Sequence, residues 1–150
     1  MLNNIKNFIQ KNRFYWQYRH IVQRDVWLNY YNSYKSPRRN FYSDYVKING
    51  CKSVFEFGCA SAPNFKNIQS NIKSEIFFFG YDINKKALKI AKENLDIKTT
   101  IFSNILSVKK LQQSLSIMGY KSFDVAIYDR VLYLINESEV KNHFQEYGKF

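Results

Sequence analysis

Residues 53 to 64 read SVFEFGCASAPN, an apolar run that ends in an acidic residue, a glycine and several very small side chains. The run predicts a buried strand, and Pro63 predicts the first turn of a helix. Ligands of open α/β sheets bind where such strands end, which places Glu56 and Gly58 at a ligand site. A carboxylate there repels the pyrophosphate of a dinucleotide and attracts a ligand that carries ammonium and sulfonium groups. The stretch therefore predicts an α/β fold and argues against a nicotinamide oxidoreductase.

Residues 75 to 95, EIFFFGYDINKKALKIAKENL, predict a second strand followed by an amphipathic helix. The strand has no polar alternation, as expected of a strand that is covered on both faces. Asn84 is expected to cap the helix. Asp82 follows the glycine turn by about twenty residues, where a carboxylate can accept hydrogen bonds from two ribose hydroxyls. A turn residue that caps the helix is the other interpretation of Asp82.

With these two segments, residues 52 to 147 resemble the class I S-adenosylmethionine (SAM)-dependent methyltransferases. The first motif of that family reads hydrophobic, hydrophobic, acid, hydrophobic, Gly, small, Gly, small, Gly. The resemblance implies SAM as the cofactor, with Glu56 and Gly58 at its methionine end and Asp82 at its ribose. Alanine at positions 60 and 62 replaces two family glycines and disfavours the positive φ that glycine allows. The predicted cofactor site also includes the neighbouring residues Cys59, Ala60 and Ile83, with Cys59 expected to be a packing residue.

Residues 97 to 103, IKTTIFS, predict a third strand, which a helix follows. Residues 123 to 135, FDVAIYDRVLYLI, predict a fourth strand that ends near Tyr128 and Asp129, with an apolar stretch and then a helix beyond it. The resemblance implies that Asn104 stands where family members bind the adenine amine with an acid, although a polar loop residue is an equal alternative. It also implies that Asp129, at the exit of the fourth strand, faces the region where substrate and methyl donor meet. Asp124 is expected to have an edge or capping role.

The resemblance implies a Rossmann-like three-layer α/β sandwich with a mainly parallel sheet, in which the strand order 3-2-1-4 is visible and the carboxyl-terminal strands are missing. Residues 1–47 are expected to form a helical segment, and residues 48–150 an incomplete SAM-binding domain. A fragment of a longer enzyme is the favoured interpretation. The fourth strand would then be an uncovered apolar edge, which predicts self-association or a partner chain that covers it.

The first fifty residues differ from the rest, because they contain both tryptophans and nine Lys or Arg against two acids. Helices are expected over the first thirty residues and over residues 40–47, separated by the breaker Ser36-Pro37. The resemblance implies a lid or substrate-binding segment, whose positive charge would attract an acidic substrate. The candidate substrate residues are Trp27, Tyr133, Arg13, Arg19, Arg24, Arg38 and Arg39.

A formal net charge of +11 raises the question of nucleic acid, but solvated helix faces explain such charge more often. The resemblance favours a methyltransferase that acts on a small, acidic metabolite or a sugar-linked acceptor. An RNA methyltransferase and a non-catalytic SAM-binding fragment are the alternatives. The sequence identifies no general base.

The two cysteines, Cys51 and Cys59, form no metal-ligand spacing with His20 or His143, so no metal site is expected. So few cysteines suggest a reducing cytoplasm. No stretch is long and apolar enough to predict a membrane span or a signal peptide.

Overall fold

Four parallel strands form the centre of the computed structural model, which describes residues 26–132 and 137–149. The strands are β1 (Ser53–Phe57), β2 (Phe77–Tyr81), β3 (Thr100–Ser103) and β4 (Val125–Ile127). Their order in the sheet is β3-β2-β1-β4, and every neighbouring pair is parallel. The predicted order 3-2-1-4 is therefore confirmed.

Six helices surround this sheet in the described part of the chain. They are α1 (Val26–Asn32), α2 (Asn40–Ile48), α3 (Pro63–Asn71), α4 (Lys85–Asn94), α5 (Val108–Ile117) and α6 (Glu137–Tyr147). Most of the helix predicted over the first thirty residues lies outside the described residues. The predicted break at Ser36-Pro37 is confirmed, since Ser36 is extended between two short 3₁₀ turns, Ser33–Lys35 and Pro37–Arg39.

Alternating side chains of the strands build two apolar layers. Val54 and Phe78 face one side, where they pack with Phe65 and Ile68 of α3 and with residues of α4. The other side has its own cluster, formed by Phe55, Phe77, Phe79, Leu111 and Leu115. Both faces of the sheet are covered, which confirms the predicted three-layer arrangement and explains the unbroken apolar runs in β1 and β2.

The helix that follows β2 begins as the sequence predicts. The Asn84 side chain accepts hydrogen bonds from the backbone N–H groups of Lys86 and Ala87, at 3.0 and 3.1 Å. These bonds satisfy donors that have no partner within the helix, so Asn84 is an N-cap.

The last two strands are shorter than the sequence predicts. β3 begins at Thr100 rather than residue 97, because Asp96 forms a turn: its carboxylate accepts from the Lys98 N–H at 2.8 Å, and its carbonyl accepts from the Thr100 hydroxyl at 2.7 Å. β4 has three residues. Asp124 precedes it and accepts hydrogen bonds from the N–H groups of Lys52 and Ser53, at 2.7 and 2.9 Å, which confirms a capping role.

No helix within residues 26–132 and 137–149 has the length and apolar character needed to cross a membrane.

Candidate functional site

The turn after β1 places three residues in left-handed backbone conformations. The φ angles are +75° at Gly58, +50° at Ala60 and +56° at Ala62. Both alanines therefore adopt the positive φ that a side chain with a Cβ disfavours, at a cost of about 1–2 kcal/mol each. Gly58 cannot be replaced in the same way, because a Cβ there would lie 2.7 Å from Cγ2 of Val131.

Backbone hydrogen bonds hold this turn against the end of β2. The N–H groups of Gly58 and Cys59 both donate to the carbonyl of Tyr81, at 2.8 and 3.0 Å. The Ala62 N–H donates to the Cys59 carbonyl at 2.8 Å. The surrounding structure thus determines the path of the chain at the turn and compensates for the unfavourable φ angles.

Asp82 joins the turn to the segment before α4. One oxygen of its carboxylate accepts from the Ala60 N–H at 2.8 Å, and the other accepts from the Asn84 N–H at 2.7 Å. Burial raises the pKa of Asp82, while these two bonds act in the opposite direction. Each oxygen has a further lone pair, so the carboxylate can still accept from a ligand. The bonds agree with a turn-forming role and leave the ribose role as a prediction.

Glu56 is buried at the carboxyl end of β1. Its Oε1 accepts a hydrogen bond from the side-chain amide of Asn64 at 2.7 Å, but no described residue donates to Oε2. The pKa of Glu56 is raised to about 8. Burial raises it most and the carboxylates of Asp129 and Asp82 also raise it, whereas the Asn64 hydrogen bond and Arg39 lower it. A buried oxygen without a donor is unfavourable by about 1–3 kcal/mol. The side chain therefore either binds a proton or accepts a bond from a ligand.

Arg39 is fully buried and crosses from the helical segment to the sheet. Its Nε and Nη2 donate to the carbonyl and the hydroxyl of Ser33, at 3.1 and 2.9 Å. Its Nη1 donates to the Asn64 side-chain carbonyl and lies 3.5 Å from Oδ2 of Asp129. The guanidinium also lies over the ring of Tyr30, 5.2 Å from its centre. All of these contacts are internal, so Arg39 differs from the exposed substrate-binding side chain that the sequence suggests.

Asn64 connects the charged groups of this region. Its amide donates to Glu56 and, at 3.2 Å, to Oδ2 of Asp129, and its carbonyl accepts from Arg39. We call Arg39, Glu56, Asn64 and Asp129 the Arg39 cluster. Asn64 is not among the site residues that the sequence predicts, although a polar residue in the first turn of a helix after a glycine motif is a recognisable signal.

Tyr42, on α2, was also missed. Burial raises its pKa to about 12, and the nearby carboxylates of Asp129 and Glu56 contribute to the increase. The phenol is therefore neutral at physiological pH and faces the negative side of the Arg39 cluster. No periodicity in residues 40–48 distinguishes this tyrosine from its neighbours.

The other residues that the sequence predicts for the site have different surroundings. Cys59 is buried, and burial raises the pKa of its thiol well above the usual range. A Cβ on Gly80 would lie only 2.8 Å from the Cys59 sulfur, so the contact is tight and agrees with a packing role. Ile83 and Asn104 are exposed beyond the ends of β2 and β3. Of the substrate candidates, Arg38 is exposed and Trp27 packs edge-on against Tyr30. Tyr133, Arg13, Arg19 and Arg24 lie outside the described residues.

Three carboxyl groups lie at the carboxyl-terminal ends of the strands: Glu56 near the end of β1, Asp82 directly after β2 and Asp129 after β4. The buried cation Arg39 lies 3.5 Å from Asp129. This arrangement favours a ligand with positive charge over an anionic one.

No protein-family model matches the sequence, and no curated protein matches it. Solved structures do match. One is the O-methyltransferase from Bacillus cereus in complex with SAH, at 19% identity and a TM-score of 0.53, covering 75% of this chain and 59% of that chain. A second is the plantazolicin methyltransferase BpumL in complex with a monoazolic desmethylPZN analog and SAH, at 18% identity and a TM-score of 0.58, covering 97% and 57%.

A third is the O-methyltransferase TomG from Streptomyces achromogenes, involved in tomaymycin synthesis and solved with SAM. It matches at 11% identity and a TM-score of 0.59, covering 89% of this chain and 64% of that chain. The chain spans less than two thirds of the length of each of these structures. At such identities the similarity concerns the fold alone, and it confirms the predicted Rossmann-like α/β fold.

Proposed function

We propose that this chain binds SAM and forms the cofactor-binding part of a SAM-dependent methyltransferase. The observation that carries the proposal is the arrangement around the left-handed turn, which has the buried Glu56 on one side and Asp82 on the other. When bound, SAM supplies a methyl group activated by a sulfonium. The chain's contribution is to bind and orient the donor, since alignment accounts for much of the rate of such transfers.

The residues of the site fit this ligand. Oε2 of Glu56 lacks a donor among the described residues, and the ammonium of the methionine end would supply one. Asp82 retains acceptor capacity for the ribose hydroxyls, because each of its carboxylate oxygens accepts one backbone hydrogen bond and has a further lone pair. Ile83 and Asn104, exposed beyond β2 and β3, are proposed to border the adenine. Asp129 would lie beside the methionine end through the shared amide of Asn64.

The proposed acceptor is a small molecule, with a preference for an acidic or sugar-linked one. Two of the matching structures support a small acceptor: TomG is involved in tomaymycin synthesis, and BpumL was solved with a desmethylPZN analog. The excess of basic residues in positions 1–47 supports an acidic acceptor. Arg38 is the exposed candidate for recognition of the acid. We also propose that residues 1–47 act as the lid or substrate segment and that the protein works in the cytoplasm.

Efficient methyl transfer is proposed to need more polypeptide than this chain contains. The matched structures extend well beyond the region that aligns with it, by more than a third of their length. We therefore expect the 150-residue chain to bind SAM and to transfer methyl groups weakly.

Isothermal titration calorimetry with SAM, SAH and NAD tests the cofactor. We expect SAM and SAH to bind and NAD to bind at least tenfold more weakly, because a carboxylate at the turn repels the pyrophosphate, and tenfold corresponds to about 1.4 kcal/mol. Tighter binding of NAD than of SAM would overturn the proposal. A methyl-transfer assay with tritiated SAM and a cell extract then separates binding from activity.

A further inference from the structure

Asn64 is a buried amide in the first turn of α3, between the charged groups of the candidate site. Its Nδ2 donates hydrogen bonds to Oε1 of Glu56 at 2.7 Å and to Oδ2 of Asp129 at 3.2 Å. Its Oδ1 accepts a hydrogen bond from Nη1 of Arg39. One amide therefore connects two acidic side chains and one guanidinium that come from three different parts of the chain.

The charges around Asn64 fix the orientation of its amide. In the rotated orientation, Oδ1 would face the oxygens of Glu56 and Asp129, and the NH2 group would face the guanidinium of Arg39, which has donors and no acceptor. Each of the three hydrogen bonds would be replaced by a contact between like groups. Such contacts are especially unfavourable in a buried site, where the local dielectric constant is low. The NH2 group is therefore held toward the two acids.

The oriented amide in turn restricts the carboxyl group of Glu56. The terminal torsion of a glutamate is broad, so the side chain by itself does not select a direction for its two oxygens. The bond from Asn64 holds Oε1, while Oε2 is buried and has no donor among the described residues. One oxygen of Glu56 is thus bonded within the protein, and the other remains for a ligand.

We propose that Asn64 is a positioning residue of the cofactor site, which holds Glu56 so that Oε2 is the acceptor for the ammonium of SAM. The inference rests on the proposed function, because SAM is the ligand in both. Asn64 acts through Glu56 and needs no contact with the cofactor. Arg39 and Asp129 contribute by fixing the amide, so the Arg39 cluster serves the orientation of a single carboxyl group.

Glu56 should titrate at a higher pH when Asn64 is replaced. The titratable and charged groups that face Glu56 come from the helical segment, from the glycine turn and from the ends of β2 and β4: they are Arg39, Tyr42, Cys59, Asp82 and Asp129. Burial raises the pKa of Glu56 to about 8, and the hydrogen bond from Asn64 is the largest of the influences that lower it. Without this bond less of Glu56 is ionised at neutral pH, so an ammonium is bound more weakly.

Asn64→Leu tests this role, and Asn67→Leu is the matched control. Asn67 is also buried on α3 and also donates from its amide, but its acceptors are the carbonyl of Tyr34 and the side-chain carbonyl of Asn40, which carry no charge. Asn64→Asp is a second test variant, because it keeps the size of the side chain and an acceptor for Arg39 but has no N–H group to donate.

Calorimetry with SAM between pH 6 and 9 measures the effect on the ligand. The affinity of the wild type should increase as Glu56 loses its proton near pH 8. Asn64→Leu and Asn64→Asp should weaken SAM binding about tenfold at pH 7 and move the midpoint of the pH dependence upward, whereas Asn67→Leu should change neither. If the wild type binds SAM and the Asn64 variants bind it equally well, or Asn67→Leu weakens binding equally, this inference is overturned and the proposed function is not.

Carbon NMR of glutamate carboxyl groups measures the titration of Glu56 without ligand, with the signal identified by its loss in Glu56→Gln. We expect a higher midpoint in both Asn64 variants and an unchanged midpoint in Asn67→Leu. An unchanged midpoint in the Asn64 variants would contradict the positioning role even if SAM bound more weakly. A wild-type chain that binds no SAM at any of these pH values would overturn the proposed function and this inference together.

Discussion

The two halves of the candidate site are built differently. The turn from Gly58 to Ala62 is held mainly by backbone hydrogen bonds to Tyr81 and by the carboxylate of Asp82. The Arg39 cluster is held by side chains that come from distant parts of the sequence, with separations of 25 residues between Arg39 and Asn64 and 65 between Asn64 and Asp129. The turn can be recognised from the sequence, because its residues are consecutive and form a motif. The Arg39 cluster cannot, because its members come together only in the folded chain.

The largest effect is expected from Arg39→Met. It leaves the buried Asn64 and the half-buried Asp129 without their cation, so the free energy of unfolding should fall by about 3–5 kcal/mol, the range for a broken buried ion pair. Urea denaturation measures this fall. Arg38→Met is the matched control: Arg38 is exposed, and its removal should change stability by no more than about 0.5 kcal/mol. An equal change in the free energy of unfolding for both variants would show that the buried contacts of Arg39 do not stabilise the fold.

Asp82→Ala tests the other half of the site. The variant should weaken SAM binding by about 1.5–3 kcal/mol, the usual range for hydrogen bonds to a charged group. Calorimetry measures the affinity, and Asp96→Ala serves as control, since Asp96 also accepts a backbone bond in a turn but lies before β3, away from the proposed site. An unchanged affinity for SAM in Asp82→Ala would show that Asp82 forms the turn and does not bind the cofactor.

Glu56 should make stability depend on pH. Its pKa is raised to about 8 in the folded chain from an ordinary value of 4.5, so the folded state binds a proton more tightly than the unfolded state. The contribution of this proton is fully present below pH 4.5 and is lost as pH rises through about 8, with a slope of at most about 1.4 kcal/mol per pH unit.

Unfolding free energies between pH 5 and 8 measure this slope. Glu56→Gln should remove it, whereas Glu93→Gln, which alters an exposed carboxylate on α4, should keep it. Saturating SAM should also flatten the slope, because an ammonium beside Oε2 favours the ionised carboxylate. A slope that survives in Glu56→Gln would assign the proton to another group.

The smallest effect is expected from Ala60→Gly. Glycine removes the cost of the left-handed φ but adds backbone entropy to the unfolded chain, so stability should rise by about 0.5 kcal/mol. SAM binding should tighten or stay the same. Thermal denaturation and calorimetry measure both, with Ala87→Gly in α4 as a control that should lose about 1 kcal/mol. A large loss of SAM binding would show that the Ala60 methyl group contacts the ligand.

Most of the architecture could be predicted from local patterns. Apolar runs identified β1 and β2, the Asn84 cap was recognised from its residue type, and the family resemblance supplied the strand order that the sheet adopts. The patterns also placed Glu56 and Asp82 at the ends of adjacent strands. These features depend on short-range periodicity and capping, which neighbouring residues determine directly.

The tertiary structure alone decided the rest. The sequence argued against positive φ at Ala60 and Ala62, yet hydrogen bonds from Gly58, Cys59 and Ala60 to residues 81 and 82 impose the turn. Likewise, no pattern distinguishes Arg39, which is buried, from Arg38, which is exposed. The sequence by itself determined that these four strands form in this order along the chain, and which acids lie at the strand ends. The direction and partner of each buried polar side chain were decided by contacts between residues far apart in the chain, because satisfying a buried charge requires groups that only the folded structure brings together.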